Sequence, residues 1–482
     1  MNVKNVLILL LLTYCFQQVS GQSEFSVPSV GEYAKTEFLY FEKETVKELK
    51  LGINSSEYKK DLKRLYNAKK DMVYNMAMND HIFFSTDWEN YLTNIAYTIT
   101  SNNAQFAMLN RTQVVLSSYF WPNAFSVGEG TIVINPGLIS VLENEDQLAF
   151  VICHEFAHFL LKHSEKMFVE VLQKQESEEI EARLKNINNS EYYKLTKFKD
   201  LLKTFLYETN NHIRANEKQA DSLGLVLYLN THYKPEEALN TIQILENLNK
   251  KKKYDIDVFE KLGADSMGID QNTILSESKK EGSWIDLDSL KTHPDCEERF
   301  NILARRLKSD RKFDNQIPST TADDNFSHFK KEMKYFKIHC YLQFDRLDLA
   351  LLECWNMMKH GDSNLYLQKM ENYIIASFAY ARTKHRIGTV CSYPNDSMSL
   401  AQKQLSNMLY GMRFKALIEN LNAYAESKYY EKFDDEISIY SAALLAYCLK
   451  DEGQLKIWRD KYLENFYNQV PERYNTIKYL IL

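Results

Sequence analysis

The sequence predicts a mainly α protein with a small β-sheet, an α+β chain whose strands are confined to one short stretch. Three observations carry that prediction. Turn-forming residues are scarce: 14 glycines and 8 prolines stand among 482 residues, about 5% where an average chain carries roughly 12%. Apolar residues recur with the helical period over most of the length. Short β-favouring runs, separated by Asn, Pro and Gly, fall only between residues 105 and 135. This composition, with 26% charged and 45% apolar residues, excludes a β-sandwich, a collagenous rod and a Gly/Ser-rich disordered chain. The length exceeds what one core fills, so two or three domains are expected. A net charge of −6 argues against a nucleic-acid partner.

Taken in order, the chain opens with Lys4 ahead of the apolar run Val6 to Phe16, then Val19-Ser20-Gly21. A basic start, a short apolar stretch and small residues predict a signal peptide over residues 1–21. The run is too short to span a bilayer. No later segment offers eighteen apolar residues in a row, so the mature chain is expected to lack a transmembrane segment and to act outside the cytoplasm, periplasmic or secreted. A lipoprotein anchored at Cys15 is the lesser alternative, because bulky Tyr14 precedes that cysteine.

Residues 22–84 form an N-terminal helical segment, with a helix expected from Glu57 to Met78. Residues 85–308 read as the main domain. It begins with an amphipathic helix over Asp87 to Thr100, carrying Trp88, Leu92, Ile95, Ala96 and Ile99. Strand-like runs follow at Gln105 to Leu109, Thr112 to Ser117 and Gly130 to Asn135. The helical period returns at Leu138, and Glu165 to Asn211 reads as an inserted helical hairpin turning near Asn186 to Ser190. Residues 309–325, holding Pro318 and the polar run Ser319 to Asp324, are the linker. Residues 326–482 form a C-terminal α-helical domain with helices at Arg346 to Lys359, Tyr366 to Thr383 and Ile437 to Leu449. Paired helices of this kind suit a degenerate tetratricopeptide-like array, although no clean 34-residue period is present. Such a domain is expected to receive a protein partner.

Cleavage after Gly21 leaves six cysteines, which permits disulfides or buried thiols acting as small apolar residues. Asn54, Asn110, Asn188, Asn325 and Asn395 head Asn-X-Ser/Thr triplets.

The chemistry concentrates at Val151-Ile152-Cys153-His154-Glu155-Phe156-Ala157-His158. On a helix, His154 and His158 project from one face and can meet one metal ion, with Glu155 beside a water on it. Asn144, with Gln147 three residues on, predicts the helix start. The motif also arises by chance, so a third ligand decides the matter. Ala215-Asn216-Glu217-Lys218-Gln219-Ala220-Asp221-Ser222-Leu223-Gly224 supplies one. Glu217, Asp221 and Gly224 share a helical stripe. Glu217 completes a His/His/Glu set, Asp221 is placed to accept from a ligand imidazole, and Gly224 admits close helix approach. A solvated acidic face is the bland alternative. His163, five residues beyond His158, falls off the ligand face.

These ordered motifs resemble the M48 metallopeptidases, the gluzincin family that includes the CAAX prenyl proteases, HtpX and BepA. In that family an Asn-Ala-Phe strand precedes the His-Glu-X-X-His helix, matched here by Asn123-Ala124-Phe125. Its glutamate-aspartate helix matches Glu217 and Asp221, and its later His-Pro element with a following Arg matches His293-Pro294 and Arg299. The resemblance covers roughly residues 85–305. It implies a zincin-like domain with one Zn²⁺ per chain held by His154, His158 and Glu217, and Glu155 as general base and acid. It further implies His293 as oxyanion partner or as a cap that silences the metal, Arg299 as a brace, and Asn123, Ala124 and Phe125 as the edge that binds substrate. The chain lacks the multispan scaffold of the membrane-embedded members, so their substrate logic is not carried over. The expected function is hydrolysis of extended or unfolded polypeptides outside the cytoplasm. The alternative is a latent or self-inhibited peptidase acting as a chaperone-like adaptor through its helical C-terminal domain.

Overall fold

The computed structural model describes residues 25–28, 31–53, 57–127, 129–175, 214–248, 254–263, 296–309, 324–395, 398–429 and 434–466. The signal-peptide reading, the hairpin beyond residue 175, the linker from 310 to 323 and the His293-Pro294 element lie outside them. Two compact units result: one takes the described residues within 29–250 and 282–334, the other those within 1–28, 251–281 and 335–482. No described helix is long and apolar enough to cross a membrane.

The first unit opens with helices α1 (Glu32–Leu51) and α2 (Lys59–Met78), strand β1 (Ile82–Phe83) and helix α3 (Thr86–Ser101). Strands β2 (Gln113–Ser117), β3 (Ala124–Ser126) and β4 (Thr131–Ile134) follow. Then come α4 (Glu145–Leu160), α5 (His163–Gln175), α6 (helical over 214–229), α7 (Pro235–Leu248) and α8 (Cys296–Ser309). The sheet order is β1-β2-β4-β3. β2 and β4 run parallel, with Val114 opposite Ile132, whereas β3 runs antiparallel to β4, with Phe125 opposite Val133. Every residue of β4 is buried, as its uninterrupted Thr-Ile-Val-Ile run requires of an inner strand.

The N-terminal helices, read from sequence as a segment of their own, are built into this unit. Phe38 of α1 and Val73, Met76 and Ala77 of α2 join Ile82, Phe84, Val115, Val127 and Val133 in one apolar cluster. Val114, Leu116, Ile132 and Ile134 alternate to the other face of the strands and are equally buried. Helix α3 packs against β2, and α4 against β3 and β4. The run Gln105 to Leu109, expected as a strand, instead enters a 3-10 turn over Ala107–Arg111. Local bonds from Phe106 N–H to Asn103 O and from Leu109 N–H to Phe106 O satisfy its backbone, so β propensity yields to turn closure.

Gly130 turns the β3–β4 hairpin at φ +116°, where an added Cβ would sit 2.4 Å from the Arg111 carbonyl oxygen. Beside it, Glu129 is fully buried. Burial, then the nearby carboxylate of Glu42, push its pKa well above the ordinary glutamate range, against the pull of Lys69.

The second unit contains part of α9 (Asp324–Gln343), α10 (Leu347–Lys359), α11 (Leu365–Thr383), α12 (Leu400–Gly411), α13 (Phe414–Tyr429), α14 (Glu436–Leu449) and α15 (Glu452–Phe466). Neighbouring helices pack as pairs, α10 on α11 and α14 on α15, with α11 against α14. Buried Glu371 gathers the indole N–H of Trp355, the hydroxyls of Tyr424 and Tyr429 and the Lys428 ammonium. Several turns use left-handed residues that are not glycine: Asp345, His385 and Lys450 have φ of 55°, 55° and 61°. Cys153, Cys340, Cys354, Cys391 and Cys448 are free and buried.

Glu129 gives a stability test. Because it holds its proton to higher pH than an unfolded glutamate, with pKa about 4.3, its contribution is fully present below that value and declines as pH rises. Glu129→Gln is expected to raise the melting temperature at pH 8 and change it little at pH 4. Equal shifts at both pH values contradict the assignment.

Candidate metal centre

Helix α4 starts where its sequence provides a cap: the Asn144 side chain accepts from the Gln147 N–H at 2.9 Å. The Gln147 side chain accepts from the Glu143 N–H at 2.7 Å, one residue before the N-cap that a capping box would use. From this start the helical period carries His154 and His158 to one face, their Nε2 atoms 3.1 Å apart. Glu217 of α6 faces both. Its Oε2 lies 3.5 Å from His154 Nε2 and its Oε1 lies 3.3 Å from His158 Nε2.

These spacings permit a fit test. Four ligands at 2.0–2.1 Å around a tetrahedral ion stand about 3.3 Å from one another. One potential ligand atom from each of His154, His158 and Glu217 falls within a 4.8 Å set, and the close approaches above match the tetrahedral edge. The residues fit a single ion bound by two imidazoles and a carboxylate.

The surroundings fix the ring orientation. His154 Nδ1 lies 2.9 Å from Asp221 Oδ1, which leaves Nε2 for the metal. Arg299, on α8, donates to Asp221 through Nε at 2.6 Å and through a terminal nitrogen at 2.7 Å. Its other terminal nitrogen is 3.1 Å from Glu217 Oε2. Arg299 therefore braces the carboxylates of α6, and it is only 1% exposed. Burial alone would raise the Asp221 pKa, but Arg299 and then His154 hold it at about 2. Burial likewise opposes a charge on His154, yet its bonds to Asp221 and Glu217 outweigh that and raise it to about 10.

Glu155 is buried beside the ligand pair, and its Oε2 accepts the Ser126 N–H of β3 at 2.8 Å. That donor points away from the sheet, while Val127 N–H bonds to Thr131 O and Asn135 N–H to Asn123 O within it. β3 is thus an edge strand aimed at the acid. A cavity runs from Asn123 and Ala124 past His154 and Glu155, walled by Leu138, Phe150, Val151, Ile242 and Leu245. Phe125, the third residue of the predicted substrate edge, packs against the apolar cluster beneath the sheet. His293 lies outside the described residues.

Gly224 explains the short distance between α4 and α6. A Cβ there would stand 3.0 Å from His154 Cα and 3.1 Å from His154 N. Spacing alone did not flag His163 and Gln219: His163 Nδ1 approaches His158 Nδ1 at 3.0 Å, and its Nε2 lies 3.3 Å from Gln219 Oε1. Burial, aided by neighbouring His158, lowers the His163 pKa to about 4.

Fold and site together define a metallopeptidase domain. Residues 90–307 match the model of peptidase family M48, so this part of the chain is an M48 domain. Over 140 residues the chain is 24% identical to the mitochondrial metalloendopeptidase OMA1 of Saccharomyces cerevisiae, an alignment covering 27% of this chain and 35% of that protein. The chain thus matches about a third of the length of this curated relative.

Two outcomes follow from the geometry. Gly224→Ala must push α6 from α4, so it is expected to cost about 1–3 kcal/mol and to weaken metal binding. Gly411→Ala, where a Cβ meets nothing within 4 Å, is the control; equal effects of the two contradict the close-approach argument. In the metal-free protein His154, at about 10, is protonated at pH 7.5, and a ligand imidazole must be neutral. Metal entry is expected to expel about one proton, and affinity to rise with pH until that group deprotonates. Calorimetry in buffers of different ionisation enthalpy reads this number, and zero contradicts it.

Proposed function

We propose that this chain is a zinc-dependent endopeptidase that hydrolyses peptide bonds in extended or unfolded polypeptides outside the cytoplasm. The observation that carries the reading is the convergence of His154, His158 and Glu217 on one point with Glu155 between them and the β3 edge. A bound zinc ion acidifies water and polarises a carbonyl group.

The chain's own residues supply the rest. Glu155 is positioned to accept a proton from water and return it to the leaving amine. The Ser126 N–H holds its carboxylate in place until substrate arrives. A peptide laid along β3 gains main-chain hydrogen bonds that are indifferent to sequence, which favours extended segments. The adjoining cavity, walled by Leu138, Phe150, Val151, Ile242 and Leu245, gives this side of the site an apolar lining. Asp221 and Arg299 touch no reacting atom in this scheme; they keep His154 and Glu217 aligned. His293 is the candidate donor to the developing oxyanion. The apolar run Val6 to Phe16 behind Lys4 supports the extracytoplasmic location, and the paired helices of the second unit support a role in holding a protein partner.

Glu155→Gln separates binding from chemistry. The variant is expected to retain zinc at wild-type stoichiometry and to lose cleavage of casein by at least 10²-fold, about the contribution of a general base. Equal cleavage by variant and wild type overturns the assignment. Absence of cleavage by both favours the adaptor reading.

A further inference from the structure

The two ligand histidines have unlike partners behind them. His154 has the Asp221 carboxylate, whereas His158 has the ring of His163. The chain makes this second contact with an abrupt turn. Helix α4 ends at Leu160, Lys162 takes a left-handed φ of 54°, and α5 begins at once with His163. On a continuous helix a residue five places on would point elsewhere; the left-handed corner brings it back. The two imidazoles meet edge to face, centroids 4.9 Å apart and planes at 78°. The corner is held in place from α2, where the Tyr66 hydroxyl donates to Glu165 at 2.8 Å.

The hydrogen-bond roles then follow without choice. A histidine that ligates through Nε2 carries its hydrogen on Nδ1. The His158 Nδ1–H therefore donates to His163 Nδ1, 3.0 Å away. With Nδ1 accepting, neutral His163 carries its hydrogen on Nε2, which donates to the Gln219 amide oxygen at 3.3 Å. Each link has one donor and one acceptor, and the chain ends on α6, the helix that supplies Glu217.

We propose that His163 is a positioning residue for the metal centre: as a neutral imidazole it accepts the His158 Nδ1–H, fixes that ligand's tautomer and ties its orientation through Gln219 to α6. A carboxylate in this place would strengthen the ligand's basicity. A neutral imidazole orients the ligand without adding charge.

The proposal rests on the ligand assignment but not on peptide cleavage, and its test reads metal directly. Zinc affinity is measured by chelator competition on the full chain for wild type, His163→Leu, His163→Asn and Gln219→Leu. His163→Leu is expected to weaken zinc binding 10–100-fold, roughly the range for outer partners of ligand histidines, and to alter the visible spectrum of the Co²⁺-loaded protein. His163→Asn, whose amide oxygen can accept from His158, is expected to stay within several-fold of wild type. Gln219→Leu should fall between them. Melting of the metal-free proteins controls for folding. Wild-type affinity in His163→Leu overturns the proposal, as does an equal loss in the Leu and Asn variants that follows metal-free stability. Wild type that binds no zinc overturns the ligand assignment itself.

Discussion

The buried pairing of Arg299 with Asp221 and Glu217 is the constraint on which the metal centre depends. Two carboxylates on one helix, each about 95% or more buried, repel one another and resist leaving water. The guanidinium suits this position because its planar fork reaches both, in two bonds to Asp221 and one contact with Glu217. With Arg299 in place Asp221 stays ionised and orients His154, and the Glu217 carboxylate is held facing His154 and His158. Removing the cation would leave uncompensated charge inside the domain, a defect that commonly costs 3–5 kcal/mol or about that. Architecture and chemistry meet in this residue: α8 anchors α6 so that α6 can face α4.

The sheet has a different part. It sets β3 at an edge with the Ser126 N–H turned towards Glu155. Gly130 permits the tight hairpin that places this edge, and α1 and α2 cover the strands with Phe38, Val73 and Met76. Helix α4 carries His154, Glu155 and His158, α6 carries Glu217, and β3 brings the edge strand, so three separate elements meet at the site. A shift of a few tenths of an ångström between α4 and α6 would be felt at once, because Gly224 already lies at contact distance from His154.

Much of this was legible in the sequence, for a physical reason. The helical period alone places His154, Glu155 and His158 together and aligns Glu217, Asp221 and Gly224. Scarce breakers announced the helical bulk, and the cluster of Pro122, Gly128, Gly130, Pro136 and Gly137 marked the strand region. What escaped was set by chain reversals that carry no glycine. Lys162, Asp345, His385 and Lys450 adopt left-handed conformations that local composition does not signal, and the return of His163 to His158 depends on the first of them. The run from Gln105 to Leu109 misled because β propensity reports packing opportunity, and at that place a turn closes first. Tertiary partners far apart in the chain, such as Tyr66 with Glu165 or Trp88 with Glu332, leave no trace in spacing.

The most direct test of the central claim is X-ray absorption at the metal edge of the purified full chain, with metal content measured on the same sample. One zinc per chain is expected, bound by nitrogen and oxygen at about 2.0–2.1 Å with two imidazoles in the shell, and lost on Glu217→Ala. Substoichiometric metal, sulfur ligation at about 2.3 Å, or a site unchanged in Glu217→Ala would contradict the His154, His158 and Glu217 centre.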